Sequence, residues 1–261
     1  MANVPVVDSE AFESLLDDYV AQGRALIETL PEWQRKSRHH DRTVQSYVLA
    51  KSESVVRPSL SLQPEEYWVG RRSIHELAGV DAGALYDRFR KGLFVNHSIQ
   101  ERRYISSCME SERLQVLREH EAEVWRMSYK TPPPSFPRTF VFLLLCREVQ
   151  MSPGSRSFIN ISIPFDHPSA PSDKGDETSR VRGRYVSVEC VKEIKQGSEV
   201  EWLMATSSFA GGLIPQFITN LSLPGKVTED VPSFVDYLNA KVQSQGAAEA
   251  SSCSKVSTIR L

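Results

Sequence analysis

The stretch Gly211-Gly212-Leu213-Ile214-Pro215-Gln216-Phe217-Ile218-Thr219-Asn220 decides how this chain is organised, because the hydrophobic period changes there. Before it, the segments 112–119, 121–129, 139–149, 157–164, 182–194 and 199–207 are rich in β-branched, aromatic and aliphatic residues, the composition of strands. After it, Ile214, Phe217, Ile218 and Leu221, then Phe234, Val235, Leu238 and Val242, recur at three- and four-residue spacing, the period of a helix. A glycine pair permits a tight passage from strand to helix. Pro215 suits a first helical turn, where an N–H would have no partner. Leu223-Pro224-Gly225 is expected to interrupt or bend that helix, since an interior proline removes a hydrogen bond and crowds the preceding turn.

Outward from this point the connectors are informative. Residues 131–137 (TPPPSFP), 151–154 and 196–198 are short breakers, so the strands form an antiparallel meander and not βαβ units. The longer connection 168–179 is polar enough for a surface loop. Upstream, 44–51 alternates as a strand and 67–73 is a weaker strand candidate. A helical region covers 81–104, split near Gly92 and Asn96. Residues 9–30 carry an amphipathic helix with Ser9 as N-cap and Glu10 and Glu13 at its positive end; Pro31 closes it. Residues 34–43 (QRKSRHHDRT) are polar and without period, which predicts a solvated linker. From residue 244 the small, polar composition predicts a disordered tail.

Composition narrows the function. The chain has 261 residues, 40% hydrophobic and 25% charged, with 31 basic and 33 acidic residues and a formal charge of -2. That balance argues against a nucleic-acid partner, which a basic excess would announce. Cys108, Cys146, Cys190 and Cys253 lie far apart without a CxxC pair, so neither a disulfide framework nor a metal site is expected; Cys146 and Cys190 fall in apolar strands, as small core residues do. Adjacent His39 and His40 make no metal site alone. The first residues lack a secretory pattern and no apolar run is long enough for a transmembrane helix, so a cytoplasmic location is expected. Ile259-Arg260-Leu261 departs from a peroxisomal address at Ile259.

The segment 211–220 resembles the start of the last helix of START domains, where a glycine pair precedes an Ile/Leu-Pro step, an aromatic and an Asn. From about Val95 to Leu238, the strings Val124-Trp125-Arg126-Met127-Ser128-Tyr129-Lys130-Thr131-Pro132-Pro133-Pro134, Val181-Arg182-Gly183-Arg184-Tyr185-Val186-Ser187-Val188-Glu189 and Pro224-Gly225-Lys226 are similar to a fungal START-like family, itself a domain of unknown function. The resemblance implies an α+β helix-grip fold, a curved antiparallel sheet around a long C-terminal helix. It also implies an internal cavity for a lipid, sterol or other hydrophobic molecule. The organisation expected is then an N-terminal helical segment (1–33), a linker (34–43), a START-like domain (44–243) and a tail (244–261). Pro224 departs from the uninterrupted helix of typical START domains.

Within such a cavity the candidate ligand-binding residues are Trp125, Arg126, Met127, Tyr129, Phe142, Arg184, Glu201, Trp202 and Phe217. Strand alternation puts Arg126 with Val124 and Ser128 on one face and Trp125, Met127 and Tyr129 on the other. Either set lines the interior, not both. A buried Arg126 would need a carboxylate, with Glu189 or Glu201 available. Arg184 is a polar anchor or a surface charge. Asp166-His167 is the acid–histidine neighbour pair near a strand end, but adjacent strand residues point opposite ways. No P-loop, GxGxxG after a strand, HExxH, GxSxG or CxxC is present. No cofactor is implied. The reading is binding or transfer of a lipid or other hydrophobic molecule (a sterol or a polyketide- or terpenoid-like metabolite), with transient membrane contact. The alternative is a cyclase or isomerase acting in the same cavity through Arg126, Tyr129, Arg184 or Glu201. A regulatory interaction module is a third.

Overall fold

A computed structural model describes residues 9–40, 43–49, 60, 67–77, 83–171, 180–249 and 259–260; from residue 242 onward it describes backbone alone. The first helix, α1 (Glu10–Thr29), is capped by Ser9, whose hydroxyl accepts from the Phe12 N–H at 3.1 Å, and it turns out through Pro31. Strands β1 (Gln34–His39), β2 (Val44–Val48) and β3 (Trp68–Leu77) follow. Next come α2 (Ala84–Phe89), a π-helical turn (Arg90–Phe94) and α3 (His97–Tyr104). The split expected near Asn96 is present, and Asn96 adopts the left-handed conformation there.

The meander comprises β4 (Cys108–Arg118), β5 (Ala122–Tyr129), β6 (Arg138–Glu148), β7 (Ser157–Pro164), β8 (Val181–Ile194) and β9 (Glu199–Phe209). A long helix, α4 (Gln216–Glu249), and a short strand, β10 (Ile259–Arg260), complete the chain. The strands form one sheet in the order β1-β2-β3-β9-β8-β7-β6-β5-β4, with β10 on β3. Pairings are antiparallel except where β6 and β8 run side by side at Arg138–Phe140.

The sheet is covered on both faces. On the outer face α1 lays Phe12, Leu16, Leu26 and Ile27 against Val124, Leu143, Ile159, Ile161, Val188 and Leu203. On the inner, concave face α4 sets Val231, Phe234, Val235 and Leu238, with Leu85 and Phe89 of α2, against Phe158, Val191, Val200 and Trp202. Phe234 is fully buried, its ring 5.1 Å from Trp202, 5.2 Å from Phe89 and 5.2 Å from Tyr104. Removing such a side chain from water stabilises the grip by about 1.5–3 kcal/mol. Coverage on both sides explains why β6 and β7 read as continuous apolar runs.

The passage from β9 to α4 follows the glycine argument. Gly211 and Gly212 sit at φ 67° and 60°, and a Cβ on Gly211 would lie 2.1 Å from the Arg182 carbonyl oxygen. Pro215 immediately precedes α4, its carbonyl accepting from the Ile218 N–H at 3.0 Å.

Four expectations are corrected. Residues 34–43 do not form a linker throughout: 34–39 are β1, an exposed edge strand paired with β2 through a bulge. A strand needs only a backbone ladder, so its sequence lacks an apolar face to betray it. The helix is not interrupted at Pro224 but runs through both Pro224 and Pro232. Leu223 and Val227 on either side of Pro224 are pinned to Val48 and Val69, and the Thr228 hydroxyl donates to the carbonyls of Pro224 and Gly225 at 3.1 and 2.8 Å. The apolar face expected at Phe217, Ile218 and Leu221 does not pack inward; these side chains are exposed. The expectation of a tail from 244 fails at both described ends, since α4 continues to Glu249 and Ile259–Arg260 pairs with β3; residues 250–258, Cys253 among them, lie outside the described residues, as do 172–179 of the polar loop and the Val242 side chain.

Candidate binding site between the sheet and its helices

Alternation along β5, β8 and β9 sorts the sequence candidates onto two faces. Trp125, Met127 and Phe142 are buried on the concave face with Leu144 and Cys146, and Phe94, Tyr129, Phe140 and Tyr185 pack beside them. Trp202 is also concave, buried beneath α4. Arg126 lies on the other face, ion-paired to Glu112 with Glu110 3.9 Å away. Glu201 sits with Leu203 on the outer side, held by Arg72 and, at 2.6 Å, by Lys192. Arg184 alternates onto the face of Val186 and Val188, the α1 side. Phe217 is 69% exposed and reaches no interior group. The structure therefore gathers Trp125, Met127, Tyr129, Phe142 and Trp202, and separates Arg126, Arg184, Glu201 and Phe217 from them. Asp166 is taken by Arg182, while His167 bonds Ser169 at 2.8 Å, so that pair makes no acid–base contact.

The sheet register supplies polar residues that the sequence reading did not place. Arg71 of β3 pairs with Met204 of β9, Met204 with Glu189 of β8, and Glu189 with Asn160 of β7, one row across four strands on the concave face. Arg71 is fully buried, its guanidinium 3.8 Å above the Trp202 ring and 3.5 Å from a Glu189 carboxylate oxygen. That oxygen also accepts from the Trp202 indole N–H at 2.7 Å, and the other accepts from Asn160 at 3.1 Å. His97 on α3 continues the line, 3.9 Å from Glu189 and 3.6 Å from Glu101, and Tyr129 donates to Glu101 at 2.7 Å.

Burial bears on the protonation of these groups. Burial raises the carboxyl of Glu101 above its ordinary range, although His97 and the Tyr129 hydroxyl pull it back. Burial also lifts Asp230 of α4 to about 7, with Arg71 opposing that rise and Glu101, Glu189 and Glu229 reinforcing it. The phenols of Tyr104, Tyr129 and Tyr185 are raised well above 10, burial again being the main cause. Yet Tyr104, Tyr129, Tyr185, Glu101, Asp230 and Met204 each keep part of their surface accessible.

Other features have different chemistry. A cleft of about 420 Å³ opens beside Tyr86, Asp87, Arg90, Glu148 and Arg156, but its charges are already matched, Arg156 to Asp87 at 2.8 Å and Arg90 to Glu148 at 2.6 Å. Among the described residues one group has metal-ligand geometry, Glu119, His120 and Glu123 at the β4–β5 turn; Arg113 neutralises both carboxylates at 3.2 and 3.0 Å. No helix among the described residues is long and apolar enough to cross a membrane.

A single antiparallel sheet closed on its concave side by a long C-terminal helix is a START-like fold, and solved structures agree. Human STARD10 superposes with a TM-score of 0.59 at 16% identity, covering 94% of this chain and 84% of its own. Human StAR-related lipid transfer protein 5 gives 0.60 at 14% identity, covering 85% and 96%. The chain itself belongs to the family described as "Protein of unknown function (DUF3074)", whose pattern matches residues 68–238. An uncharacterized protein of Schizosaccharomyces pombe, C577.11, is 25% identical over 239 residues, 90% of this chain and 89% of that one.

Proposed function

We propose that this protein is a cytoplasmic binder or carrier of a lipid or other hydrophobic small molecule, held between the concave face and helices α3 and α4. The observation that carries this reading is the set of deep yet accessible aromatic and polar side chains around Tyr129, Tyr185 and Met204, backed by the buried apolar wall of Trp125, Met127 and Phe142. Its fold is shared with a human lipid transfer protein, which supports the same class of ligand. Phe217 and Leu221, one turn apart on α4, and Leu213 in the turn before it are 69%, 82% and 100% exposed, apolar side chains suited to transient contact with a membrane surface. Native mass spectrometry of the protein purified from its own host, followed by denaturing extraction, tests the reading. A stoichiometric apolar molecule released unchanged supports it. Protein that remains empty, in that host and after incubation with host lipid extract, overturns it.

A second reading has its own observation. Tyr129 donates to Glu101, a deep carboxyl with a raised pKa, which is the arrangement of a general acid–base group in an apolar pocket. A cyclase or isomerase could move a proton at Glu101 of a bound intermediate. Of the four residues that the sequence offered for this role, only Tyr129 faces the interior. Recovery of a chemically altered metabolite, lost in Glu101→Gln, would favour this enzyme over the carrier.

A further inference from the structure

β1 closes one end of the sheet, with β2 its only strand neighbour among the described residues. An end strand of this kind turns alternate N–H and C=O groups outward, where a further chain can pair with them. Its six residues include Arg35, Lys36 and Arg38, all exposed, in a chain whose formal charge is -2. Among the described residues none of the three is ion-paired, whereas Arg90, Arg126 and Arg156 are matched to Glu148, Glu112 and Asp87. Arg38 has one neutral contact, from Nε to the Gln45 amide oxygen at 3.3 Å.

The bulge in β1 decides where these charges point. Arg35 pairs with Tyr47 and Arg38 with Gln45, so three steps along β1 match two along β2. Residues three apart in a regular strand face opposite sides; the extra residue turns Arg35 and Arg38 onto one face. The bulge is held in place by β2. The carbonyls of Lys36 and Ser37 accept from the Gln45 amide at 2.9 Å and the Ser46 hydroxyl at 2.8 Å. The two arginines therefore stand at the spacing of alternate residues in an extended chain, about 7 Å.

This rim leaves a ladder and a set of charges unanswered. A lipid surface or a phosphate polymer would answer the charges and leave the outward backbone groups to water. An extended acidic peptide answers both. We infer that β1 is a docking edge for an acidic, extended segment of another protein, which joins the sheet as a further strand and sets carboxylates at alternate positions against Arg35 and Arg38. The ladder holds the segment, and the charge spacing selects it.

The test uses the full chain and fluorescein-labelled peptides of about six residues, the length of a strand. One alternates Thr and Glu, a second alternates Thr and Lys, and a third is the first N-methylated throughout, which keeps the charge and removes the ladder donors. By fluorescence anisotropy the Thr/Glu peptide should bind saturably with a Kd below about 1 mM, and the other two at least about tenfold more weakly. In the charge-swapped variant R35E/R38E the preference should invert in favour of the Thr/Lys peptide, a gain that misfolding cannot produce. Both side chains are exposed, so its Tm should match the parent's. Equal binding of the N-methylated peptide would reduce β1 to an unselective anion patch. A preference unchanged in R35E/R38E would place the peptide elsewhere. Sedimentation with phosphatidylserine vesicles that is lost in R35E/R38E, without peptide binding, would give the rim to a membrane. Each of these results, like the absence of any binding, overturns the inference.

Discussion

Trp202 binds both members of the Arg71–Glu189 pair: its ring lies 3.8 Å beneath the guanidinium while its indole N–H donates at 2.7 Å to the Glu189 oxygen nearest Arg71. The three side chains come from β3, β8 and β9, so the triad clamps the strands that α4 covers. Arg71→Met should lower stability by about 3–5 kcal/mol, because it leaves Glu189 as an uncompensated buried charge. R71M/E189Q should recover more than half of that loss. Urea denaturation of both variants, followed by tryptophan fluorescence, measures the difference; equal losses would mean that the pair is not energetically coupled.

Asp230 ties stability to pH. Its folded pKa of about 7 lies above the ordinary value of 3.8, so the folded state holds this proton more tightly than the unfolded state. The associated stability is fully present below about pH 4 and is lost as pH rises through 7. Asp230→Asn should therefore flatten the decline in Tm between pH 5 and pH 8 and be the more stable protein at pH 8. A parallel pair of curves would contradict the assignment.

Gly211→Ala tests the passage into α4. At φ 67° the added methyl meets the Arg182 carbonyl oxygen, a backbone atom unable to move aside. A loss of about 2 kcal/mol or more is expected from the left-handed conformation and the contact together. Gly154→Ala, also at positive φ but with open space around it, should cost only about 1 kcal/mol.

Serine at all three of Leu213, Phe217 and Leu221 should change stability by no more than about 0.5 kcal/mol, since none of them is buried. The same variant should reduce co-sedimentation with phosphatidylcholine vesicles severalfold. Retention of vesicle binding would assign membrane contact to another surface.

Cys146 and Cys190 should resist thiol reagents in the native protein at pH 7.5. Both are buried, and burial pushes the Cys190 thiol to about 12 and Cys146 higher still. Peptide mapping after labelling, with and without denaturant, decides this.

The elements most legible in the sequence were those whose apolar residues face a partner. The strands of the meander, the Ser9 cap and the face of α4 at Phe234, Val235 and Leu238 all announce themselves by period or by chemistry. β1 escaped because an edge strand with exposed side chains has no such pattern. Phe217 misled because a helical period says which side is apolar, not whether anything lies opposite. Arg71 was hidden beside Arg72. Two adjacent arginines look alike in sequence, and only alternation combined with the register to β9 sends one beneath Trp202 and the other toward Glu201. Glu101 and Asp230 sit on helices where polar residues are ordinary, and neither the closeness of Tyr129 nor that of Arg71 can be read along the chain.

The unexpected β1 has a consequence for how copies of this protein meet. Arg35, Lys36 and Arg38 stand on the outermost strand, solvent-exposed, so two molecules approaching rim to rim would bring like charges together before any ladder could form. The sheet is thereby discouraged from growing into its neighbour, and a protein built around a broad, twisted β-surface can remain separate at high concentration.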